Sequence, residues 1–230
     1  MHPMPSTART RVKICGITRI DDALAAARAG ADAIGLVFWP GTPRRVEFEQ
    51  ARAIAAAVPA MVTIVGLFVD PQPSEVRAAL EAVALDLLQF HGDEPQALCA
   101  SFSRPYIKAV PVRPGVDLLQ YASRYRDARG ILFDAFEPGG MPGGTGRTFD
   151  WQALASRLAA RQDAGPAQPL ILSGGLTPEN VGAAIRALRP WAVDVSGGVE
   201  IRGDDGTPRR GIKDPARIGA FIRGVRDADG

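Results

Sequence analysis

Eight short apolar segments, each followed by a helical segment, run through this chain of 230 residues in strict alternation. The predicted strands are Val12–Cys15, Ala33–Phe38, Met61–Val69, Leu87–Phe90, Tyr106–Val110, Ile131–Asp134, Leu170–Ser173 and Ala192–Ser196. The predicted helices are Ile20–Ala29, Glu47–Val58, Ser74–Val83 with Ser74 as its N-cap, Glu94–Phe102, Val116–Tyr125, Phe149–Arg161, Pro178–Leu188 and Asp214–Val225. Strict alternation of this kind predicts a parallel sheet covered by helices.

Eight such units in one chain of this length predict the α/β fold class, as a single (β/α)8 TIM barrel with a parallel eight-stranded core. An open doubly wound sheet is less well supported, because no Gly-x-Gly-x-x-Gly follows the first strand. We predict a mobile tail over residues 1–10 and one catalytic barrel domain over residues 11–230. Two inserts, Ala164–Pro169 and Ile201–Arg210, are predicted to be mobile loops.

Charge and composition restrict the classes of partner. A net charge of +2 gives no electrostatic reason to expect nucleic acid or a membrane surface. Two cysteines suggest no disulfide framework, and no apolar window reaches the roughly 18 residues of a membrane helix. The polar opening Met1–Arg11 lacks an apolar signal core. We therefore expect a cytoplasmic protein with reduced thiols and a small-molecule ligand, as a monomer or alternatively a dimer.

Cys15 is the first candidate for chemistry. It lies at the end of the first predicted strand, and Lys13 shares its face because strand residues alternate. A nearby cation lowers the pKa of a thiol, so this pair suggests a reactive thiolate. The alternative is that Cys15 is a small buried hydrophobe, which is also how we interpret Cys99 in the middle of a helix.

Three glycine-rich turns follow the last three strands and suggest a phosphate site. They are Gly143–Arg147, Ser173–Gly175 and Ser196–Gly198. Glycines let backbone amides approach an anion, and the loops after strands seven and eight often hold phosphate in such barrels. The alternative is that the glycines only form tight turns. Arg147 could serve the phosphate or be an exposed loop residue.

Asp134 ends the sixth predicted strand, directly before the first of these loops. A partly desolvated carboxyl group at the mouth of a barrel has a raised pKa, which suits a general acid. Because Cys15 comes from another part of the ring, the two groups could face each other across a bound sugar. The alternative is a structural aspartate bonded to backbone amides.

Other polar residues lie near predicted strand ends. Arg44, or its neighbour Arg45, could bind a substrate carboxylate through two hydrogen bonds. His91 could form an acid–base pair with Asp93 or be an ordinary loop histidine. We interpret Asp70 as a cap of the following helix. Asp194 could contact Lys13 or the substrate, or be an ion-pair partner in the core. No cluster of side chains has metal-ligand spacing.

The chain carries a set of motifs that extends from Arg11 to its end. The matching segments are Val12–Thr18, Ala31–Gly35, Phe38–Pro40, Arg44–Val46, Gln89–Gly92 with Glu94, Phe133–Asp134, Gly143–Trp151, Leu172–Leu176 with Pro178–Val181, and Val193–Glu200. In these motifs the chain resembles the phosphoribosylanthranilate isomerase family. The resemblance implies a TIM-barrel enzyme of tryptophan biosynthesis that performs an Amadori rearrangement, opening an aldosylamine to an aminoketose.

The resemblance also implies roles for individual residues. Asp134 would be the general acid that protonates the ring oxygen, and Cys15, as thiolate, the general base that removes the C2′ proton. The implied substrate-binding residues are Arg44, Gly144, Thr145, Gly146, Ser173, Gly174, Gly175, Asp194, Ser196 and Gly197. No cofactor or metal is implied, because the imine formed on ring opening is itself the electron sink.

Two residues depart from the family pattern. Arg147 stands where lysine is usual, and Gly197 where a second serine is common. Two other functions remain as alternatives. A barrel enzyme similar to indole-glycerol-phosphate synthase would need catalytic lysines and glutamates at several strand ends, whereas only Lys13 and Lys108 lie in predicted strands. A non-catalytic phosphate-ligand binder would be stabilised by its ligand without turning it over.

Overall fold

A computed structural model describes residues 9–112, 117–135, 151–159, 168–204 and 206–230. Eight parallel strands form a closed barrel in chain order, which confirms the predicted fold class. The strands β1 to β8 are Arg11–Cys15, Ala33–Val37, Thr63–Phe68, Leu87–Phe90, Tyr106–Val112, Gly130–Ala135, Leu170–Leu172 and Ala192–Val195. The helices α1 to α8 are Ile20–Ala29, Phe48–Ala57, Pro73–Ala82, Gln96–Cys99, Leu118–Ser123, Trp151–Ala159, Val181–Leu188 and Pro215–Asp229.

Strand alternation decides which side chains enter the barrel. On β6, Leu132 packs inside the ring with Ile107 of β5, while Phe133 belongs to the large core between strands and helices. Asp134 lies two residues after Leu132 and so shares its inward face. By the same rule Cys15 shares a face with Lys13. The carboxyl ends of these strands therefore aim polar side chains into the mouth of the barrel.

Helix boundaries differ from the sequence predictions where cap residues compete. Helix α3 begins at Pro73 rather than at Ser74, and its N-cap is Gln72, which forms a capping box with Glu75. Proline suits the first helical position because the missing N–H has no partner there anyway. Helix α4 is short, and the chain continues directly from it into a 3-10 helix over Ala100–Phe102.

The second predicted insert forms ordered secondary structure. Strands β9 (Glu200–Arg202) and β10 (Pro208–Lys213) pair in an antiparallel hairpin that is separate from the barrel sheet. Most of the first insert, Ala164–Pro169, lies outside the described residues. So does most of the predicted mobile tail, of which Thr10 donates two hydrogen bonds to the Asp229 carboxylate.

None of the helices in the described ranges is both long and apolar enough to cross a membrane.

Helix α8 depends on its N-terminal cap. The Asp214 carboxylate accepts hydrogen bonds from the backbone amides of Ala216 at 2.8 Å and Arg217 at 3.4 Å. The helix packs on α1, α7 and β1, so its stability affects the closure of the barrel. We expect Asp214→Ala to lower the free energy of unfolding by about 1 kcal/mol, measured by urea denaturation.

Asp227→Ala is the matched control, because Asp227 is an exposed carboxylate in the last turns of the same helix. Negative charge near a helix C-terminus is not stabilising, so this change should leave stability unchanged or slightly raised. Equal destabilisation by both substitutions would contradict the capping role of Asp214.

Candidate active site

Side chains from several strand ends and loops meet in one pocket at the carboxyl-terminal mouth of the barrel. Its polar lining consists of Cys15, Thr42, Arg44, Gln89, His91, Asp134, Ser173, Asp194 and Ser196. Its apolar lining consists of Val37, Trp39, Leu67 and Val69. The structure therefore brings together most of the polar residues that the sequence analysis selected at separate strand ends.

A buried ion pair lies beside the thiol of Cys15. Lys13 and Asp194 are paired residues of β1 and β8, and Lys13 Nζ lies 2.8 Å from Asp194 Oδ1. Ser173 Oγ donates to the other carboxylate oxygen of Asp194 at 3.4 Å. On β2, a β-carbon at Gly35 would lie 2.9 Å from Cys15 Sγ and 3.1 Å from Lys13 Nζ. Glycine at position 35 thus leaves room for Cys15 Sγ and Lys13 Nζ.

Opposing effects act on the Cys15 thiol. Burial raises its pKa, the charge of Lys13 lowers it, the charge of Asp194 raises it and that of Lys213 lowers it. The net direction is upward. Lys13 therefore acts on the thiol in the predicted sense, but burial outweighs it.

Asp134 belongs to a chain of hydrogen-bonding side chains. His91 Nε2 lies 3.0 Å from Asp134 Oδ2, and Gln89 Nε2 lies 2.9 Å from His91 Nδ1. The two ring nitrogens of His91 thus connect Gln89 to Asp134. Asp134 Oδ1 is buried and has no hydrogen-bond partner among the described residues. One carboxyl oxygen is thus held by His91, while the other has no protein partner among the described residues.

The guanidinium group of Arg44 is held by the carboxylate of Glu200. Its Nε and Nη2 donate to the two oxygens of Glu200 at 2.7 and 2.9 Å, in the two-bond geometry of an arginine–carboxylate pair. Glu200 also accepts from Lys213 Nζ at 3.2 Å. These bonds leave Arg44 Nη1 unengaged by Glu200, and the residue lines the pocket.

Two of the three predicted phosphate turns lie within the described residues. Gly174 and Gly175 have φ angles of +89° and +64°, which favour glycine over residues with a β-carbon. At the turn after β8, a β-carbon at Gly198 would lie 1.9 Å from the carbonyl oxygen of Leu176, so the two turns pack directly on each other. The third turn, with Gly144, Thr145, Gly146 and Arg147, lies outside the described residues.

The pocket combines groups that can give or take a proton with cationic side chains. Its thiol is on β1 and its carboxyl group on β6, separated around the ring by β7 and β8. Arginine, lysine and serine side chains line or support the space between them. Within the described part of the chain, no group of three or more His, Cys, Asp or Glu side chains is placed to hold a metal ion.

Comparison with known proteins identifies the family. A family model described as N-(5′-phosphoribosyl)anthranilate (PRA) isomerase matches residues 12–223. The chain belongs to this family. It is an enzyme, an isomerase of tryptophan biosynthesis, as the sequence resemblance predicted.

Relatives of this PRA isomerase-family chain match it over nearly its whole length. N-(5′-phosphoribosyl)anthranilate isomerase of Pseudomonas putida strain F1 is 54% identical over 221 residues, which is 96% of this chain and 100% of the relative. The crystal structure of phosphoribosyl anthranilate isomerase from Thermotoga maritima is 40% identical, with a TM-score of 0.81, and covers 95% of this chain and 99% of its own.

A further solved structure of the family contains a ligand. It is a phosphoribosyl anthranilate isomerase in complex with reduced 1-(o-carboxyphenylamino)-1-deoxyribulose 5-phosphate. It is 38% identical to this chain, has a TM-score of 0.78, and covers 95% of this chain and 99% of its own.

Two sequence predictions about neighbouring residues were wrong. Asp70 does not cap helix α3; its carboxylate accepts a hydrogen bond from the backbone amide of Asp93 at 2.7 Å. His91 pairs with Asp134 rather than with Asp93, which accepts from the Tyr121 hydroxyl group. Cys99, as predicted, is fully buried in the core.

The sequence analysis missed three residues that organise the pocket of this isomerase. Gln89 supports His91, and Glu200 and Lys213 support Arg44 and Ser196. Gln89 could have been found, because a polar residue inside an apolar strand, two positions before His91, shares its face. Lys213 lies in β10, so the prediction that only Lys13 and Lys108 lie in strands was wrong.

The opposing effects on the Cys15 pKa predict how the rate of its alkylation by iodoacetamide depends on pH. Since burial raises the thiol pKa, the alkylation rate of Cys15 should reach half its maximum at a higher pH than that of free cysteine. Lys13→Met removes a charge that lowers this pKa, so it should move the midpoint further upward. Peptide mass mapping would separate Cys15 from Cys99, whose pKa is raised to about 12 by burial.

Arg45→Met is the control for this experiment. Arg45 is an exposed cation paired with Glu47 in the loop next to Arg44, and its loss should leave the Cys15 profile unchanged. A downward movement in Lys13→Met would refute the assigned effect of Lys13.

Proposed function

We propose that this isomerase converts N-(5′-phosphoribosyl)anthranilate to 1-(2-carboxyphenylamino)-1-deoxyribulose 5-phosphate, with Asp134 as general acid and Cys15 as general base. The observation that carries the proposal is the meeting of these two groups, from β1 and β6, in the mouth pocket of a PRA isomerase-family barrel. A small phosphorylated substrate agrees with the ligand of the solved relative.

The first step is ring opening. Asp134 gives its proton to the ring oxygen of the ribose, and the C1′–O bond breaks while the nitrogen lone pair forms an iminium at C1′. The donated proton remains on the new hydroxyl group. Asp134 Oδ1 suits this role because it is buried and unpartnered among the described residues, while His91 holds Oδ2 in place.

The second step is proton abstraction. The Cys15 thiolate takes the proton from C2′, and the C2′–H electron pair forms the C1′–C2′ double bond as the iminium nitrogen becomes neutral. The resulting enolamine takes up a proton at C1′ and loses one from the C2′ hydroxyl group, which gives the aminoketose. The substrate gains one proton from Asp134 and loses one to Cys15, so its atoms and electrons balance and the reaction is an isomerisation. Proton exchange with solvent then restores the Asp134 carboxylic acid and the Cys15 thiolate.

The surroundings of Cys15 act on its proton in opposite directions. Cys15 must lose its proton against the effect of burial, and Lys13 and Lys213 are the cations that favour the thiolate. A bound sugar that displaces water from the pocket strengthens these charge interactions.

The two linings of the pocket suit the two ends of the substrate. Arg44, with Nη1 free of Glu200, would bind the anthranilate carboxylate. Val37, Trp39 and Leu67 supply apolar surface for the aromatic ring. The phosphate would bind to the glycine turns after β7 and β8, together with the loop of Gly144, Thr145 and Gly146.

Loss of either reactive group should nearly abolish turnover. We expect Cys15→Ala and Asp134→Asn each to lower kcat by roughly 10²- to 10⁴-fold, the usual contribution of one general acid or base. The assay is the loss of phosphoribosylanthranilate fluorescence, with circular dichroism to show that the fold persists.

Cys99→Ala and Asp93→Asn are the matched controls, because they change a thiol and a carboxyl group outside the pocket lining. They should retain near wild-type kcat. Full activity in Cys15→Ala or Asp134→Asn would overturn that residue's role. A wild-type protein that is stabilised by the substrate but does not turn it over would instead support a non-catalytic binder.

A further inference from the structure

The charged hairpin β9–β10 reaches the active site through its two ends. Glu200 begins β9 and Lys213 ends β10, and both side chains are fully buried although the hairpin lies outside the barrel sheet. The residues between them are mostly exposed. The hairpin therefore places a buried ion pair against Arg44 and Ser196, which line the pocket, while the described residues near its tip are mostly exposed.

The Glu200 carboxylate accepts hydrogen bonds from three residues, one in the loop after β2 and two in strand β10. Its Oε1 accepts from Arg44 Nε at 2.7 Å, from the backbone amide of Gly211 at 2.9 Å and from Lys213 Nζ at 3.2 Å. Its Oε2 accepts from Arg44 Nη2 at 2.9 Å. Two parallel bonds restrict the rotation of the guanidinium group, which a single bond would not do.

Lys213 connects Glu200 to the turn after β8. Its ammonium group donates to the backbone carbonyl of Ser196 at 3.1 Å and to Ser196 Oγ at 3.3 Å, in addition to Glu200. Its three donors therefore each have an acceptor. Its own backbone amide donates to the Asp22 carboxylate at 3.0 Å, which attaches this end of the hairpin to helix α1.

The turn after Cys15 also limits the space around the side chains of Arg44 and Ser196. A β-carbon at Gly16 would lie 2.6 Å from Arg44 Cδ and 3.0 Å from Ser196 Oγ. The φ angle of Gly16 is +72°, so glycine is favoured there on conformational grounds as well. Arg44 and Ser196 are thus enclosed between β1 and the buried end of the hairpin.

The groups around Glu200 keep its carboxylate ionised. Burial would by itself raise the pKa of Glu200, but the hydrogen bonds from Arg44, the charge of Lys213 and the amide of Gly211 lower it to about 2. The carboxylate is therefore ionised at neutral pH. Arg44 and Lys213 both lie against this carboxylate. Burial lowers the pKa of Lys213, the Glu200 carboxylate raises it and the charge of Arg44 lowers it, with a net downward direction.

We propose that Glu200 and Lys213 are positioning residues for the substrate: Glu200 directs Arg44 at the substrate carboxylate, and Lys213 fixes Ser196 at the phosphate end. This inference rests on the proposed function. It assigns the hairpin to substrate recognition, by coupling the sites for the two negatively charged ends.

The binding of two ligands distinguishes a role of Glu200 and Lys213 in substrate positioning from a general role in protein stability. The first is reduced 1-(o-carboxyphenylamino)-1-deoxyribulose 5-phosphate, and the second is the same compound with a phenyl ring that lacks the carboxyl group. Both carry the phosphate, so they differ only at the group assigned to Arg44. Their dissociation constants would be measured by calorimetry for the wild type, Glu200→Gln, Lys213→Met and the control Arg209→Ala. Arg209 is exposed on the same strand as Lys213.

Glu200→Gln should weaken binding of the carboxylate-bearing ligand on the order of tenfold, because Arg44 loses its ionic anchor, and binding of the second ligand by less than about twofold. In the same variant KM for phosphoribosylanthranilate should rise more than kcat falls. Lys213→Met should weaken both ligands to a similar degree, since both carry phosphate. Arg209→Ala should change neither dissociation constant.

Equal weakening of both ligands in Glu200→Gln, or no weakening, would overturn the positioning role of Glu200. Selective weakening of the carboxylate-bearing ligand in Lys213→Met would overturn the role given to Lys213. If Glu200→Gln does not fold, Glu200→Asp keeps the charge but withdraws it by one methylene group, and the same comparison applies. A wild type that does not turn over phosphoribosylanthranilate refutes the proposed function, whereas normal turnover with unselective variants refutes only this inference.

Discussion

The pairing of β1 with β8 is the contact on which the site depends. It joins the first and last strands of the barrel, and the ion pair of Lys13 with Asp194 crosses it inside the ring. The same closure brings Cys15, at the end of β1, beside the turn of Ser196, which follows β8. Without it the thiol and the predicted phosphate turn would be separated by most of the chain.

Buried charges in this barrel are organised in small groups, each of which joins distant segments. Removal of an ion from water costs several kcal/mol, so every buried ion needs a partner and further hydrogen bonds. Lys108 illustrates this on the far side of the pocket: it pairs with Glu94 at 3.2 Å and donates to the carbonyls of Phe90 and Gly92. Phe90 and Gly92 are the residues before and after His91. The residue that supports Asp134 is therefore held in place by a buried ion pair, as Arg44 is.

The fold and the strand-end residues were predictable because they depend on local pattern. Short apolar segments that alternate with helical segments identify the strands. The rule that parallel strands end at one edge then places Cys15 and Asp134 at the same mouth of the barrel. Local competition explains the errors. Gln72, rather than Ser74, caps helix α3, because Pro73 takes the first helical position and Gln72 forms a capping box with Glu75. The hairpin was missed because its charged residues show no strand periodicity.

The sequence by itself determined that eight strand–helix units would form a parallel barrel, and which thiol and carboxyl group would lie at its mouth. Only the tertiary structure decided the partners of those groups. His91 and Asp134 are 43 residues apart, and Arg44 and Glu200 are 156 apart. The physical reason is that periodicity reports the face on which a side chain lies, whereas a hydrogen bond depends on distances that exist only after the barrel has closed.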